Sequence, residues 1–178
     1  RVIENPIGTV NTQVDQVRDI CAIASSRQKI FYASTSEVYG KTIVSPLTED
    51  LPLVLGEPDK ARWAYACSKL LSEYLLLSLY RDKNVPLVVG RFFNVVGPRQ
   101  NLSYGAVIPN LLSQAIKGIP LTVFGDGTQT RSFCHVEDAV DAMLSLMNHN
   151  SSLGQVFNIG NEEQISISGL ADKIRSLV

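Results

Sequence analysis

The chain has 178 residues, which at about 150 residues per domain means one domain or a part of one. With 45% hydrophobic and 19% charged residues and a mean hydropathy of +0.09, it is neither disordered nor a disulfide-stapled miniprotein. Sixteen basic residues against 17 acidic ones leave a net charge of −1 without a basic run, which excludes a dedicated nucleic-acid binder but leaves room for a local anion pocket.

Arg1–Asn5 leads directly into an amphipathic pattern, so no signal peptide is expected there. Asn5-Pro6 reads as a helix start, an N-cap followed by proline at the first helical position. Ile7, Val10, Val14, Val17, Ile20, Cys21 and Ala24 then recur at helical spacing. Ile30–Ser34 is short and apolar enough for a buried strand. After a loop rich in proline and glycine, a long helix is predicted over Trp63–Arg81, and a second buried strand from Leu87 to Phe93. Val107–Lys117 reads as a helix, Leu121–Phe124 as a strand ended by the turn Gly125-Asp126-Gly127, and Val136–Met147 as a helix with Glu137 and Asp138 at its positive end. Phe157–Ile159 is a last short strand, and Ser168 is expected to cap a final helix. Strands alternating with helices mean an α/β fold with a mainly parallel sheet.

Cys21, Cys67 and Cys134 are far apart and sit in apolar or helical contexts, so they read as buried, reduced thiols of a cytoplasmic protein. His135 and His149 lack partners at metal-ligand spacing, and no metal site is expected. The longest apolar run, around Leu75–Leu79, is interrupted by Ser78 and is too short for a membrane span.

The chemistry centres on Tyr65-Ala66-Cys67-Ser68-Lys69 within the long helix. Spacing of i, i+4 puts the phenol and the ammonium on one face. A lysine cation near a phenol favours the phenolate, so Tyr65 is expected to serve as a base well below its free pKa of about 10. Upstream, the strand Ile30–Ser34 runs into Thr35-Ser36-Glu37-Val38-Tyr39-Gly40, which sets hydroxyls and a carboxylate at a strand's carboxyl end, where open α/β sheets bind ligands.

These pieces, with Arg91-Phe92-Phe93-Asn94-Val95-Val96-Gly97-Pro98-Arg99, the run from Pro120 to Phe133 and Phe157-Asn158-Ile159-Gly160, resemble the extended short-chain dehydrogenase/reductases that modify nucleotide sugars. They occur in that family's order along almost the whole chain. The resemblance implies a Rossmann-like, mainly parallel sheet flanked by helices, with a small substrate-binding C-terminal part. Residues 1–100 would be the second half of the cofactor domain with its catalytic helix, and 101–178 would mainly bind substrate, the two interleaved. It implies Tyr65 as base, Lys69 as the lysine that holds the nicotinamide ribose, and Thr35 as the hydroxyl that contacts the sugar, with Ser36 and Glu37 beside it. Phe92 would join Tyr65 and Lys69 at the cofactor. Asn94, Arg99 and Arg131 would bind the substrate's diphosphate, a charge that suits a bidentate guanidinium. Arg91 and Arg99 each also read as an internal salt-bridge partner.

The family's G-x-x-G-x-x-G loop is absent from these residues, as is the acidic ribose-binding residue after it, so the chain resembles the family with its first three strand–helix units removed. The resemblance implies NAD as cofactor, with NADP an alternative, and a nucleotide sugar, in particular a UDP-sugar, as substrate. This chain alone is expected to bind a dinucleotide weakly. The 4,6-dehydratases carry Asp-Glu after the threonine; Ser36 here disfavours dehydration. Ser68 before Lys69 resembles the 4-epimerases, which act through a transient 4-keto sugar. Ser36-Glu37 with Arg131, and the context of Trp63, are similar to the UDP-glucuronate decarboxylases, the alternative. A non-catalytic fragment that binds a nucleotide sugar or a partner is the reading from another class. Helices 6–24 and 63–81 resemble the pair through which family members dimerise, so a homodimer is expected.

Overall fold

The computed structural model describes residues 5–101 and 106–178; the expectation for Arg1–Glu4 lies outside them. Two compact units are interleaved in sequence. One comprises the chain up to Phe92 with Asp141–Ile159, the other Phe93–Val140 with Gly160–Val178.

In the first unit, α1 (Pro6–Ile23) begins as expected: the Asn5 side chain accepts a 2.9 Å hydrogen bond from the Gly8 N–H, and Pro6 occupies a position that needs no donor. Strands β1 (Ile30–Thr35), β2 (Leu87–Phe92) and β6 (Val156–Ile159) form a parallel sheet in the order β1-β2-β6. The central strand β2 opens on the apolar run Leu87–Val89, all fully buried, as a parallel strand covered on both faces requires. Helix α2 (Arg62–Lys83) packs on α1 and on the sheet; Val17, Leu76, Leu79, Val85, Leu87 and Val89 form the core. Burial of each such side chain contributes about 1.5–3 kcal/mol. Asn84 closes α2 in the left-handed conformation, with Arg81 and Lys83 at the negative end.

Between β1 and α2 the chain turns through a short 3₁₀ segment, Ser36–Tyr39, and then Gly40 at φ +63°. A Cβ on Gly40 would lie 2.1 Å from the Val54 carbonyl oxygen, so both conformation and space require glycine there.

The second unit holds α3 (Val107–Ile116) and α5 (Ile167–Leu177), packed through Leu111, Leu170, Ala171 and Ile174. Two small ladders complete it: β3 (Val95–Val96) with β5 (Cys134–His135), parallel, and β4 (Thr130–Ser132) with β7 (Gln164–Ser166), antiparallel. Helix α4 (Val136–Asn148) opens in this unit with Glu137 and Asp138 in its first turn.

Three expectations are corrected. Leu121–Phe124 is not a strand: no ladder forms along it among the described residues, and the pairing partner of β7 is Thr130–Ser132, after the glycine turn. Ser166, not Ser168, caps α5; its hydroxyl accepts from the Gly169 N–H at 3.0 Å, while the Ser168 hydroxyl reaches back to the Gly127 carbonyl. Cys134 is buried and Cys21 half-buried, but Cys67 is exposed, because its position on α2 turns away from the sheet. No helix among the described residues is long and apolar enough to cross a membrane.

Candidate active site

Period-2 alternation along β1 puts Tyr32 and Ser34 on one face. That face meets α2, where Tyr65, Lys69 and Glu73 recur one turn apart. Ser34 Oγ donates to Glu73 Oε1, and Lys69 Nζ donates to the Ala33 carbonyl at 2.9 Å. The ammonium lies 4.9 Å from the centroid of the Tyr32 ring and 5.9 Å from that of Tyr65. Thr35, the last residue of β1, caps the 3₁₀ turn by accepting from the Glu37 N–H at 3.3 Å, and its hydroxyl lies near the Tyr65 phenol. Thr35, Tyr65 and Lys69 are therefore brought together as the sequence led one to expect.

Their electrostatics differ from that expectation. Burial raises the Tyr65 pKa above its ordinary 10, and the Glu37 carboxylate raises it further, while the Thr35 hydroxyl opposes both. Lys69 does not bring the phenol down: its ammonium is bound to Ala33 O and is itself held below the ordinary lysine value by burial, with Glu73 opposing. Tyr32 is pushed up to about 12, chiefly by burial, with Ser72 opposing. Each of the two tyrosines flanking Lys69 has a nearby hydroxyl that opposes the rise, Thr35 for Tyr65 and Ser72 for Tyr32.

Glu37 is more than half exposed and lies 3.7 Å from Arg62. Ser36 opens the 3₁₀ turn and is half-buried. Phe92 ends β2, its ring 6.0 Å from that of Phe31.

A polar network behind the site was not foreseen in full. Register aligns Ser34, Arg91 and Asn158 in one row across the sheet. Arg91 is the internal salt-bridge partner: its Nε and Nη2 bind the Glu73 carboxylate, the latter at 2.8 Å, and its Nη1 donates to Tyr39 Oη at 3.0 Å. Tyr39 donates to Asn158 Oδ1 at 2.7 Å, and Asn158 binds the Leu47 carbonyl and the Glu49 carboxylate. The i+4 step from Lys69 to Glu73 was the sequence signal available for this network; Tyr39 and Asn158 were quoted in motifs without a role.

The other expected residues belong to the second unit. Asn94 Nδ2 donates to the Ser132 carbonyl at 3.1 Å, which ties the end of β4 to the chain entering β3. Arg131 on β4 is exposed, donates to the Thr130 carbonyl at 2.8 Å, and lines a cavity of about 500 Å³ with Asn110, Gln114, Lys117, Phe124 and Gln129. Lys117, a second cation here, was missed because it reads as a helix end. Arg99, at φ +64°, lines a separate, largely apolar cavity of about 620 Å³ with Pro98, Ile108 and Leu112, so it does not join Arg131. Among the described residues no cluster of His, Cys, Asp or Glu could hold a metal ion.

Comparison with known proteins places this geometry. The chain is 40% identical over 177 residues to a UDP-N-acetyl-alpha-D-glucosaminuronate decarboxylase of Bacillus cytotoxicus, covering 98% of this chain and 54% of that protein. It is 35% identical over 175 residues to UDP-glucuronic acid decarboxylase 3 of Arabidopsis thaliana, covering 98% and 50%. Its fold matches a UDP-glucuronic acid 4-epimerase from Bacillus cereus, solved with UDP-glucuronic acid and NAD, at a TM-score of 0.79 and 29% identity, over 95% of this chain and 51% of that one. The chain spans about half the length of the curated relatives it matches. Residues 1–160 match the NAD dependent epimerase/dehydratase family, and the chain belongs to it.

Proposed function

We propose that this chain is the catalytic and substrate-binding part of an NAD-dependent enzyme that oxidises C4 of a UDP-linked sugar, with Tyr65 as the base. The observation that carries this reading is the Tyr65 phenol near the Thr35 hydroxyl at the end of β1, with the Lys69 ammonium 5.9 Å from the Tyr65 ring centroid. Within the first unit, Thr35, Tyr65 and Lys69 serve the reacting sugar and the cofactor's ribose; within the second, the cavity lined by Arg131 and Lys117 suits an anionic group.

The residues present fit the ribose end of NAD. An ammonium carries three N–H groups, and Ala33 O takes one at Lys69, which leaves donors for ribose hydroxyls. When bound, NAD⁺ supplies a hydride acceptor for C4. Tyr65, once ionised, takes the proton of the C4 hydroxyl. Thr35 holds that hydroxyl in line by hydrogen bonding, and Lys69 counters the charge passing through the phenolate. Because burial and Glu37 raise Tyr65 in this chain, its ionisation depends on positive charge brought near it on binding.

Reduction of the 4-keto sugar on its opposite face would give 4-epimerisation, the outcome favoured by Ser68 before Lys69. Loss of a carboxylate from the 4-keto sugar is the second reading, favoured by the decarboxylases at 40% and 35% identity. Product analysis of the whole enzyme with UDP-glucose, UDP-N-acetylglucosamine and UDP-glucuronate separates them: a C4 epimer supports the first, release of carbon dioxide the second. Tyr65→Phe should lower turnover by about 10²–10⁴, as loss of a general base does, with nucleotide-sugar binding retained. Near-normal turnover in that variant overturns the assignment.

A further inference from the structure

We propose that Tyr32 is a positioning residue: its ring face, with the neighbouring Ala33 carbonyl, seats the Lys69 ammonium beside Tyr65. A lysine has a flexible four-carbon stem and a rotatable head, so a lysine that must meet a ribose and a phenol needs its charge fixed in space. Two consecutive residues of β1 do this. Ala33 accepts a hydrogen bond at 2.9 Å, and the Tyr32 centroid lies 4.9 Å from Nζ, inside the ~6 Å reach of cation–π attraction. The Tyr65 ring, at 5.9 Å, is at the edge of that reach, so Tyr32 supplies the closer aromatic face.

Among the described residues the Tyr32 hydroxyl has no competing partner, while the ring also packs against the core of the first unit. Its Oη is buried without a well-formed hydrogen bond, since the nearby Ser72 hydroxyl is directed to the Ser68 carbonyl at 2.8 Å. Held up to about 12, the phenol stays neutral wherever Lys69 is charged and presents an uncharged ring face. The function thus resides in the ring and not in the hydroxyl.

The proposal rests on Lys69 being the cofactor-binding lysine, and its test is read first without activity. Carbon–proton correlation spectra of this chain would follow the Lys69 ε-methylene, assigned with Lys69→Arg, in wild type, Tyr32→Phe and Tyr32→Leu. Ring current should displace that resonance upfield in wild type and in Tyr32→Phe, and return it toward the ordinary lysine position in Tyr32→Leu. In the whole enzyme, Tyr32→Leu should raise KM for NAD roughly tenfold, the order a desolvated cation–π contact provides, and Tyr32→Phe should restore it to within about twofold. An undisplaced methylene in wild type, its loss of displacement in Tyr32→Phe, or an unmoved one in Tyr32→Leu overturns the proposal. Should Tyr32→Leu not fold, the wild-type and Tyr32→Phe spectra decide alone. Absence of turnover with every UDP-sugar would sink the functional reading and leave the spectra unaffected.

Discussion

Glu73 and Arg91 form a two-point ion pair between α2 and the central strand, with side chains 3% and 6% exposed. Each is satisfied further: Ser34 donates to Glu73, and Arg91 donates to Tyr39 and stacks on its ring at 4.9 Å. The pair ties β2 to the helix that carries Tyr65 and Lys69, and Ser34 on Glu73 joins β1, the strand that carries Thr35, to the same carboxylate.

Removing one partner strands a buried charge. Arg91→Met should destabilise the chain by about 3–5 kcal/mol, measured by urea unfolding. Glu73→Leu combined with Arg91→Met should cost less than the two single losses added together. Additive losses would mean that the two side chains act separately.

The Tyr65 phenol should titrate above 10 in this chain, followed through its ring carbons by nuclear magnetic resonance. Glu37→Gln removes a negative charge that disfavours the phenolate and should lower that value. Thr35→Val removes the hydroxyl that opposes the rise and should raise it further. Shifts of the opposite sign would contradict the geometry at the end of β1.

Tyr32 makes stability fall at high pH. Its folded pKa of about 12 exceeds the ordinary 10, so the native state holds the proton more tightly than the unfolded one. That contribution is fully present below pH 10 and is lost as pH rises toward 12. Lys69 is depressed and runs the other way, its contribution being present above its ordinary value and lost as pH falls, but it is common to wild type and Tyr32→Phe. The urea midpoint should thus drop more steeply from pH 10 to 12 in wild type than in Tyr32→Phe.

Arg131→Ala should weaken binding of UDP by about 1.5–3 kcal/mol, the worth of a charge-assisted contact, in calorimetric titration. Uridine, which lacks the diphosphate, should be affected far less. Equal UDP affinity would return Arg131 to the status of a surface side chain.

Ile7 and Ile23 on α1 and Leu71 and Tyr74 on α2 are 73%, 80%, 44% and 61% exposed. If these faces join two copies, light scattering should give a dimer mass, and Leu71→Lys with Tyr74→Glu should reduce it to that of a monomer. An unchanged mass would place any contact elsewhere.

Elements with a local cause were legible in the sequence. Asn5-Pro6 marked the start of α1 because capping is a property of neighbouring residues, and Leu87–Val89 marked β2 because a central parallel strand is apolar on both faces. Tyr65 and Lys69 were legible as helical neighbours. Leu121–Phe124 misled because a short apolar run looks the same whether it pairs or merely covers a helix face. The cap of α5 was displaced from Ser168 to Ser166 for a related reason, since either serine satisfies the same local rule. The raised Tyr65 pKa, the seat beneath Lys69 and most of the Arg91 network come from burial and from residues that only the fold brings together, and along the chain only the i+4 step from Lys69 to Glu73 announces part of them.

The row Ser34, Arg91, Asn158 also bears on how the chain is made. Asn158 closes contacts with Leu47 and Glu49, 111 and 109 positions earlier in the sequence. Until Val156–Ile159 has been synthesised, β2 keeps one edge without a partner and Arg91 lacks the end of its network. Contacts of such long range are slow to form, and a nascent chain with an open apolar strand is prone to pair wrongly. Completion of the first unit is therefore a late event in synthesis, and the half-made chain is the species a chaperone would have to hold.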